Sequence, residues 1–289
     1  MNKKNTTVNE KTLTSISSVA ICSIVRDCGS KIKSNIPIIE QLRANFKSSI
    51  VIIFENDSKD NTKQVLKEWS EKSSNVIIEC NDFATKTIPD STPNGANKYY
   101  SHPRISKMVE YRNRYLNKLE ETNFNPDFVI VVDLDVSKIY LEGILQSFEI
   151  AEQWDVICAN GVSTSPKFKR RYHDTFALVE LGKENTPQTE ESIINNSNRW
   201  NFMENGQPLI PVYSAYGGLS IYKYDAIKNL RYRVINNKDS RVEVRCEHFS
   251  FCHDIREKGF NRIFINPGLR IKYQSINLGL IKKYIFSKF

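Results

Sequence analysis

The first half of the chain alternates between short unbroken apolar runs and longer stretches in which apolar residues recur every three or four positions. Residues 19–25, 50–54 and 128–132 are aliphatic, β-branched runs, the pattern of strands covered on both faces. Between them, Ile36, Ile39, Leu42 and Phe46 fall at helical spacing, as do Thr62, Val65, Leu66 and Trp69; residues 76–78 form a third strand. Ile105, Met108, Val109, Leu116 and Leu119 make one stripe of a long helix. After 128–132, Leu141, Ile144, Leu145 and Phe148 predict a helix, 156–159 a strand, and 263–266 a last short strand. Residues 80–102 and 181–205 read as long polar loops, the first carrying Pro89, Pro93 and Gly95. Loops of that length are often functional. Strand–helix alternation without an internal repeat predicts an α/β fold: a single domain with a mostly parallel, Rossmann-like sheet flanked by helices. The expected organisation is a flexible tail over 1–16, the domain over 17–269 and a basic amphipathic tail over 270–289.

Composition narrows the class of partner. With 40% hydrophobic and 26% charged residues the chain is an ordinary globular protein, so disorder is expected only at its ends. A net charge of +8 suits an anionic partner, or simply a basic solvated surface. The six cysteines show no C-x-x-C pair or zinc spacing, and several sit in apolar runs, which fits a reducing compartment. Residues 1–15 are polar and contain no apolar core of a signal peptide, and no apolar run is long enough to span a bilayer. A cytoplasmic location is expected. Residues 278–289 mix Leu280, Ile281, Tyr284, Ile285 and Phe286 with Lys282, Lys283 and Lys288. Such a tail lies on an anionic membrane or docks on its own domain.

Asp133-Leu134-Asp135 closes the run 128–132. In open α/β sheets, ligands bind at the carboxyl ends of the strands. Two carboxylates flanking one residue there can hold Mn²⁺ or Mg²⁺ against a diphosphate, or merely cap a turn. Glu55-Asn56-Asp57-Ser58-Lys59-Asp60 follows the second strand; Asp57 or Asp60 would contact a nucleobase, or Asp60 would cap the next helix. With Val25 and Arg26 at the end of the first strand, these residues would form a nucleoside pocket. Arg112 falls on the core-facing stripe of its helix, four positions after Met108. A buried guanidinium needs an anion, either Asp133, Asp135 or a diphosphate, unless it snorkels at the stripe's edge. Gly217-Gly218, beside Tyr213 and Tyr216, permits close backbone approach to a sugar, or forms a plain turn. Glu247 opens a helix and His248 lies on its inner stripe; the pair would supply a base for an acceptor hydroxyl, a metal contact or acceptor binding, or serve as a cap and a packed ring. His253 reads as structural. Asp174, beside His173, would contact a sugar.

Taken in order, Glu55-Asn56-Asp57-Ser58, Arg112-Asn113, Asp133-x-Asp135, Trp154-Asp155-Val156, Tyr172-x-Asp174-Thr175-Phe176-Ala177, Gly217-Gly218 and Cys246-Glu247-His248 resemble the fungal capsule-associated α-1,3-mannosyltransferase family, over residues 19–267. That family belongs to the GT-A glycosyltransferases. The resemblance implies transfer of a hexose, such as mannose from GDP-mannose, with a divalent cation. GT-A enzymes place a Glu-Asp pair about twelve residues before a glycine, the Asp acting as base in inverting members. Here Glu247 keeps that spacing to Gly259, but His248 stands in the Asp position, which is compatible with retention. A C-terminal histidine metal ligand, common in the class, has no counterpart after His253. Fungal members work in the secretory pathway. Asn56-Asp57-Ser58 would there be a glycosylation acceptor inside the nucleotide pocket, so the cytosol, near a membrane, is preferred.

The expected partners are therefore a GDP- or UDP-hexose donor and a glycan or glycolipid acceptor. A nucleotidyltransferase would want a Gly-rich, basic loop after the first strand, where the chain has Arg26-Asp27-Cys28-Gly29. A basic module binding membrane or nucleic acid would cluster its Lys and Arg. Apart from residues 167–171 and the tail they are dispersed, so no nucleic-acid partner is expected.

Overall fold

The computed structural model describes residues 12–92, 95–164, 170–198 and 207–274. Its order is α1 (Leu13–Ile16), β1 (Ser18–Val25), α2 (Gly29–Arg43), β2 (Ser48–Asn56), α3 (Thr62–Lys72), β3 (Val76–Asn81), α4 (His102–Glu121) and β4 (Phe128–Val132). There follow β5 (Lys138–Ile139), α5 (Leu141–Glu149), β6 (Val156–Thr164), β7 (Arg170–Tyr172), β8 (Val179–Glu180) and α6 (Glu190–Asn195). The chain continues with β9 (Ile210–Ser214), β10 (Leu219–Lys223), α7 (Tyr224–Ile227), α8 (Glu247–Glu257) and β11 (Ile263–Lys272).

One sheet runs in the order β3-β2-β1-β4-β10-β6-β11-β9-β8. The apolar runs of the sequence become the parallel half, β3-β2-β1-β4. In the other half β10 lies antiparallel to both β4 and β6, while β6 and β11 are parallel. Side chains of β1 alternate between two cores. Ala20 and Cys22 meet α4 and α8 on one face; Val19 and Ile21 meet α2, α3 and α5 on the other. From β1 the chain winds outward to β2 and β3, then returns to place β4 on the opposite side of β1. That reversal leaves a crevice at the carboxyl ends of β1 and β4, where ligands bind in sheets of this kind.

Three expectations are corrected. The strand foreseen over 263–266 continues to Lys272, so the ordered domain runs past 269. Pro267 and Gly268, which look like a stop, fall in a bulge between Asn266 and Arg270, after which pairing with β6 resumes. The polar stretch 181–205 contains α6, started by a capping box of Thr189 and Ser192 and anchored by buried Ile193. The expected amino-terminal tail includes α1, whose Thr14 is buried. Residues 1–11, part of the basic run 167–171 and the amphipathic segment 278–289 lie outside the described residues.

Helix α2 begins seven residues before its apolar stripe, because Gly29, Ile32 and Asn35 already face inward. Asn35 donates both its amide hydrogens, to the carbonyls of Leu134 and Val136, each at 3.0 Å. A helix on one face of the sheet thereby fixes the loop that follows β4. Ile130, fully buried mid-strand between β1 and β10, bears on the same loop. Ile130→Ala is expected to cost about 2–5 kcal/mol through the cavity it leaves, read as a lowered urea midpoint with an unchanged slope.

Candidate active site

A cavity of about 830 Å³ opens at the crevice. It is lined by Val25, Arg26 and Asn56 from the ends of β1 and β2, Asp133 and Asp135 from the end of β4, Arg112 from α4, Asp174, and Glu247 and His248 from the start of α8. Residues far apart in sequence meet here because β1, β2 and β4 end, and α8 begins, at the same edge.

Asp133 is the most constrained of them. Its Oδ1 accepts from the Tyr216 hydroxyl at 2.7 Å and its Oδ2 from Tyr273 at 2.8 Å, while its backbone N–H donates to the Gly218 carbonyl at 2.8 Å. Burial, and then the charge of Asp135, push its carboxyl up to about 7 against the pull of Arg112 and the two tyrosines. Asp135 is open to solvent at the cavity edge, and the protein crowding around it also raises its carboxyl. Two hard oxygen donors that make each other costly to ionise form a place where a divalent cation would be stabilising. Among the described residues no group of three His, Cys, Asp or Glu surrounds one point. Among the described residues at this edge, Asp133 and Asp135 are the carboxylates of the Asp-x-Asp pair, hard oxygen donors of the kind that suits Mg²⁺ or Mn²⁺.

Each tyrosine holding Asp133 is itself braced by a histidine. The Tyr216 ring stacks on His248 with centroids 3.9 Å apart, and Tyr273 on His173 at 3.5 Å. Gly217 and Gly218, at φ +67° and +89°, carry the chain from Tyr216 into β10. A Cβ on Gly217 would strike the Ala159 carbonyl and one on Gly218 the Tyr273 ring. The glycine pair does not line the cavity; it lets the loop close on Asp133. Asp174, at φ +24°, accepts the Gly217 N–H at 3.1 Å. Burial and then Glu247 raise its carboxyl to about 6.

Arg112 is buried as its stripe position demands, but its partner is neither Asp133 nor Asp135. Its Nε donates to Glu247 Oε1 at 2.9 Å, and its guanidinium lies 5.0 Å over the Tyr216 ring. The reason is geometric: α4 packs on the start of α8, which brings Glu247 to it. The Arg112 Nη1 is buried without a partner among the described residues. Burial alone would raise the Glu247 carboxyl, yet Arg112 overrides it and holds it near 2. His248 is driven well below its ordinary value by burial and then Arg112, so it is a neutral imidazole; neither ring nitrogen has a hydrogen-bond partner among the described residues.

Asp57 and Asp60 are not brought to the cavity. Asp57, at φ +53°, accepts the Ala84 N–H at 2.7 Å and shapes the loop after β3. Asp60 accepts from Thr62 N at 2.9 Å and Gly29 N at 3.0 Å, tying together the first turns of α3 and α2. Asn56 faces the cavity instead. Arg26 lines it, its Nη1 held by the Thr85 carbonyl at 2.9 Å. Sequence reasoning missed Tyr273, His173 and Asn35. The first had a readable signal, since Leu269, Ile271 and Tyr273 continue a period of two past Pro267-Gly268.

The crevice lies at the switch point of an α/β sheet and is lined by Asp133 and Asp135, the position of a ligand site in folds of this class. The family described as Cryptococcal mannosyltransferase 1 matches residues 21–254, and the chain belongs to it. A comparison with curated proteins gives no match. Among solved structures, the mannosyltransferase PcManGT from Pyrobaculum calidifontis, in complex with GDP-Man and Mn²⁺, is 10% identical with a TM-score of 0.43, over 88% of this chain and 55% of that one. TarS 1–349 of S. aureus is 14% identical with a TM-score of 0.48, over 89% and 60%. Glucosyl-3-phosphoglycerate synthase from Mycobacterium tuberculosis, in complex with Mn²⁺, UDP and phosphoglyceric acid, is 12% identical with a TM-score of 0.44, over 92% and 74%. The chain thus spans between half and two thirds of the length of the first two.

The Arg112–Glu247 pair makes a prediction about stability. A carboxyl lowered from 4.5 to about 2 contributes stability that is complete above pH 4.5 and lost as pH falls toward 2. Glu247→Gln should remove that slope and leave a buried, uncompensated guanidinium, at a cost of about 3–5 kcal/mol. Urea unfolding at pH 7 and at successively lower pH checks both.

Proposed function

We propose that the chain transfers a hexose, in the first instance mannose, from a GDP- or UDP-linked donor to a hydroxyl of a glycan or glycolipid, with Mn²⁺ or Mg²⁺. The observation that carries this reading is the Asp133–Asp135 pair lining the crevice at the end of β4, with Asp133 held by Tyr216 and Tyr273. When bound there, the cation would stabilise negative charge on the departing nucleoside diphosphate. Val25, Arg26 and Asn56 form the wall suited to the nucleoside. Tyr216 and Tyr273 orient Asp133 so that its remaining lone pairs face the cavity, and Asn35 holds the backbone on both sides of Asp135. Asp174 stands where a sugar hydroxyl can donate to the oxygen that Gly217 does not use. Arg112 and the neutral His248 line the same space.

A base for the acceptor hydroxyl is one of the roles expected of Glu247 and His248. A carboxylate held near 2 by Arg112 and an imidazole driven far below neutrality are both weak proton acceptors at pH 7. Their state supports a retaining course, in which the leaving phosphate takes the acceptor's proton, and gives Glu247 a positioning role. Among the described residues no helix is long and apolar enough to cross a membrane. A cytoplasmic site of action, with the segment 278–289 touching a membrane, belongs to this proposal.

Purified protein with Mn²⁺ should transfer or hydrolyse one donor from a panel of nucleotide sugars. Chelation and Asp135→Ala should each lower the rate by on the order of 10²-fold, several kcal/mol of Lewis-acid stabilisation. Binding of no donor with or without Mn²⁺, together with an inert Asp135→Ala, would sink the reading.

A further inference from the structure

Most arginines in this fold have evident partners. Arg112, Arg231, Arg233 and Arg262 pair with carboxylates, and Arg245, Arg256 and Arg270 lie over aromatic rings. Two cavity-lining arginines do neither among the described residues. Arg104, in the first turn of α4, gives Nη1 to the Tyr99 carbonyl at 2.8 Å, and its Nε is buried without a partner. Arg171, on β7, gives Nε to the Ser163 hydroxyl at 2.9 Å. Neutral acceptors position both side chains, and among the described residues neither charge has a carboxylate partner. The carboxylates that Arg104 influences, Asp174 and Glu247, are engaged by Gly217 and Arg112.

The helix makes the uncompensated charge of Arg104 costlier. The start of α4 has no acidic residue in its first turn, and Glu243 reaches only the His102 N–H, at 2.9 Å. A cation at the positive end of a helix is unfavourable until an anion joins it. Half-buried guanidinium forks held by neutral groups are suited to bidentate binding of phosphate. Both line the cavity, Arg104 from α4 and Arg171 from β7, whereas the residues proposed for the nucleoside, Val25, Arg26 and Asn56, come from the ends of β1 and β2. At the mouth, Tyr99 and Ile194 remain 48% and 63% exposed, an apolar lip beside the charges.

We propose that Arg104 and Arg171 form an anion subsite for the acceptor, so that the hexose is transferred to a molecule bearing a phosphate group. The inference rests on the transferase reading for its donor side. That phosphate belongs either to a soluble sugar phosphate or to a lipid headgroup.

The chain loaded with Mn²⁺ and whichever of GDP or UDP binds is titrated calorimetrically with inorganic phosphate. One phosphate should bind, and Arg104→Gln and Arg171→Gln should each weaken it about tenfold or more. Nucleotide affinity should stay within about twofold, and Arg104→Lys and Arg171→Lys, which keep the charge without the fork, should retain part of the binding. The proposal is overturned if the loaded protein takes up no phosphate, if the Gln variants bind it like wild type, or if they lose nucleotide as strongly as phosphate. Displacement of phosphate by mannose 6-phosphate assigns a soluble acceptor, and displacement by phosphatidic acid vesicles a lipid one. Displacement by neither overturns the acceptor assignment. If neither nucleotide binds, the transferase reading fails separately. Phosphate titration of the free chain then still decides: loss in Arg104→Gln and Arg171→Gln but not in Arg26→Gln supports the subsite, and the reverse pattern overturns it.

Discussion

The carboxylate of Asp133 sits where the fold leaves it little water, and much of the second half of the chain is arranged around keeping it usable. An ionised carboxylate removed from solvent must be met by hydrogen bonds or a cation. Tyr216 and Tyr273 supply the hydrogen bonds, one from the loop entering β10 and one from the residue after β11. Their rings are held in turn by His248 and His173, so α8 and the segment after β7 are coupled to the same oxygens. The two glycines at 217 and 218 exist because that closure brings backbone against β6 and against the Tyr273 ring. A cation at Asp133 and Asp135 would then complete a balance that the tyrosines only begin.

The Arg112–Glu247 pair follows a different logic. A buried ion pair is weak evidence for stability, since desolvation cancels much of the attraction. Here it fixes the start of α8 against α4 and places a positive charge near Asp133, Asp174 and His248 without exposing it to solvent. It also removes Glu247 from the list of effective bases. A residue in a catalytic-looking position is thereby turned into a support for those around it.

The parallel half of the fold was legible because β1, β2 and β4 are buried on both faces and carry unbroken apolar runs. Asp133, Asp135 and Arg112 were legible for related reasons: carboxylates at a strand end and a charge on a core stripe both break a pattern. What stayed hidden depends on distance in sequence. Nothing near Arg112 distinguishes Glu247 from Asp133 as its partner, because that choice is made by how α4 crosses α8. Asp57 and Asp60 look like ligands in sequence, yet backbone N–H groups of Ala84, Thr62 and Gly29 occupy them. Local acidity identifies a group that needs donors, not whether those donors are protein or substrate. Tyr273 was lost behind Pro267-Gly268, read as the end of a strand that in fact only bulges there.

The same distinction organises the cavity as a whole. Asp57, Asp60 and Glu247 have had their charge answered from within the chain, whereas Asp133 and Asp135 repel one another and Arg104 and Arg171 rest on neutral oxygens. Folding that satisfied every polar group would leave a stable but inert crevice. The unanswered charges fall in two sets of opposite sign: carboxylates from the end of β4, guanidinium groups from α4 and β7. Opposite signs that do not pair with each other call for two different guests. In the proposed reaction the carboxylates take a cation with its diphosphate and the guanidinium groups an anion, in one cavity that Asp174, Arg112 and His248 also line.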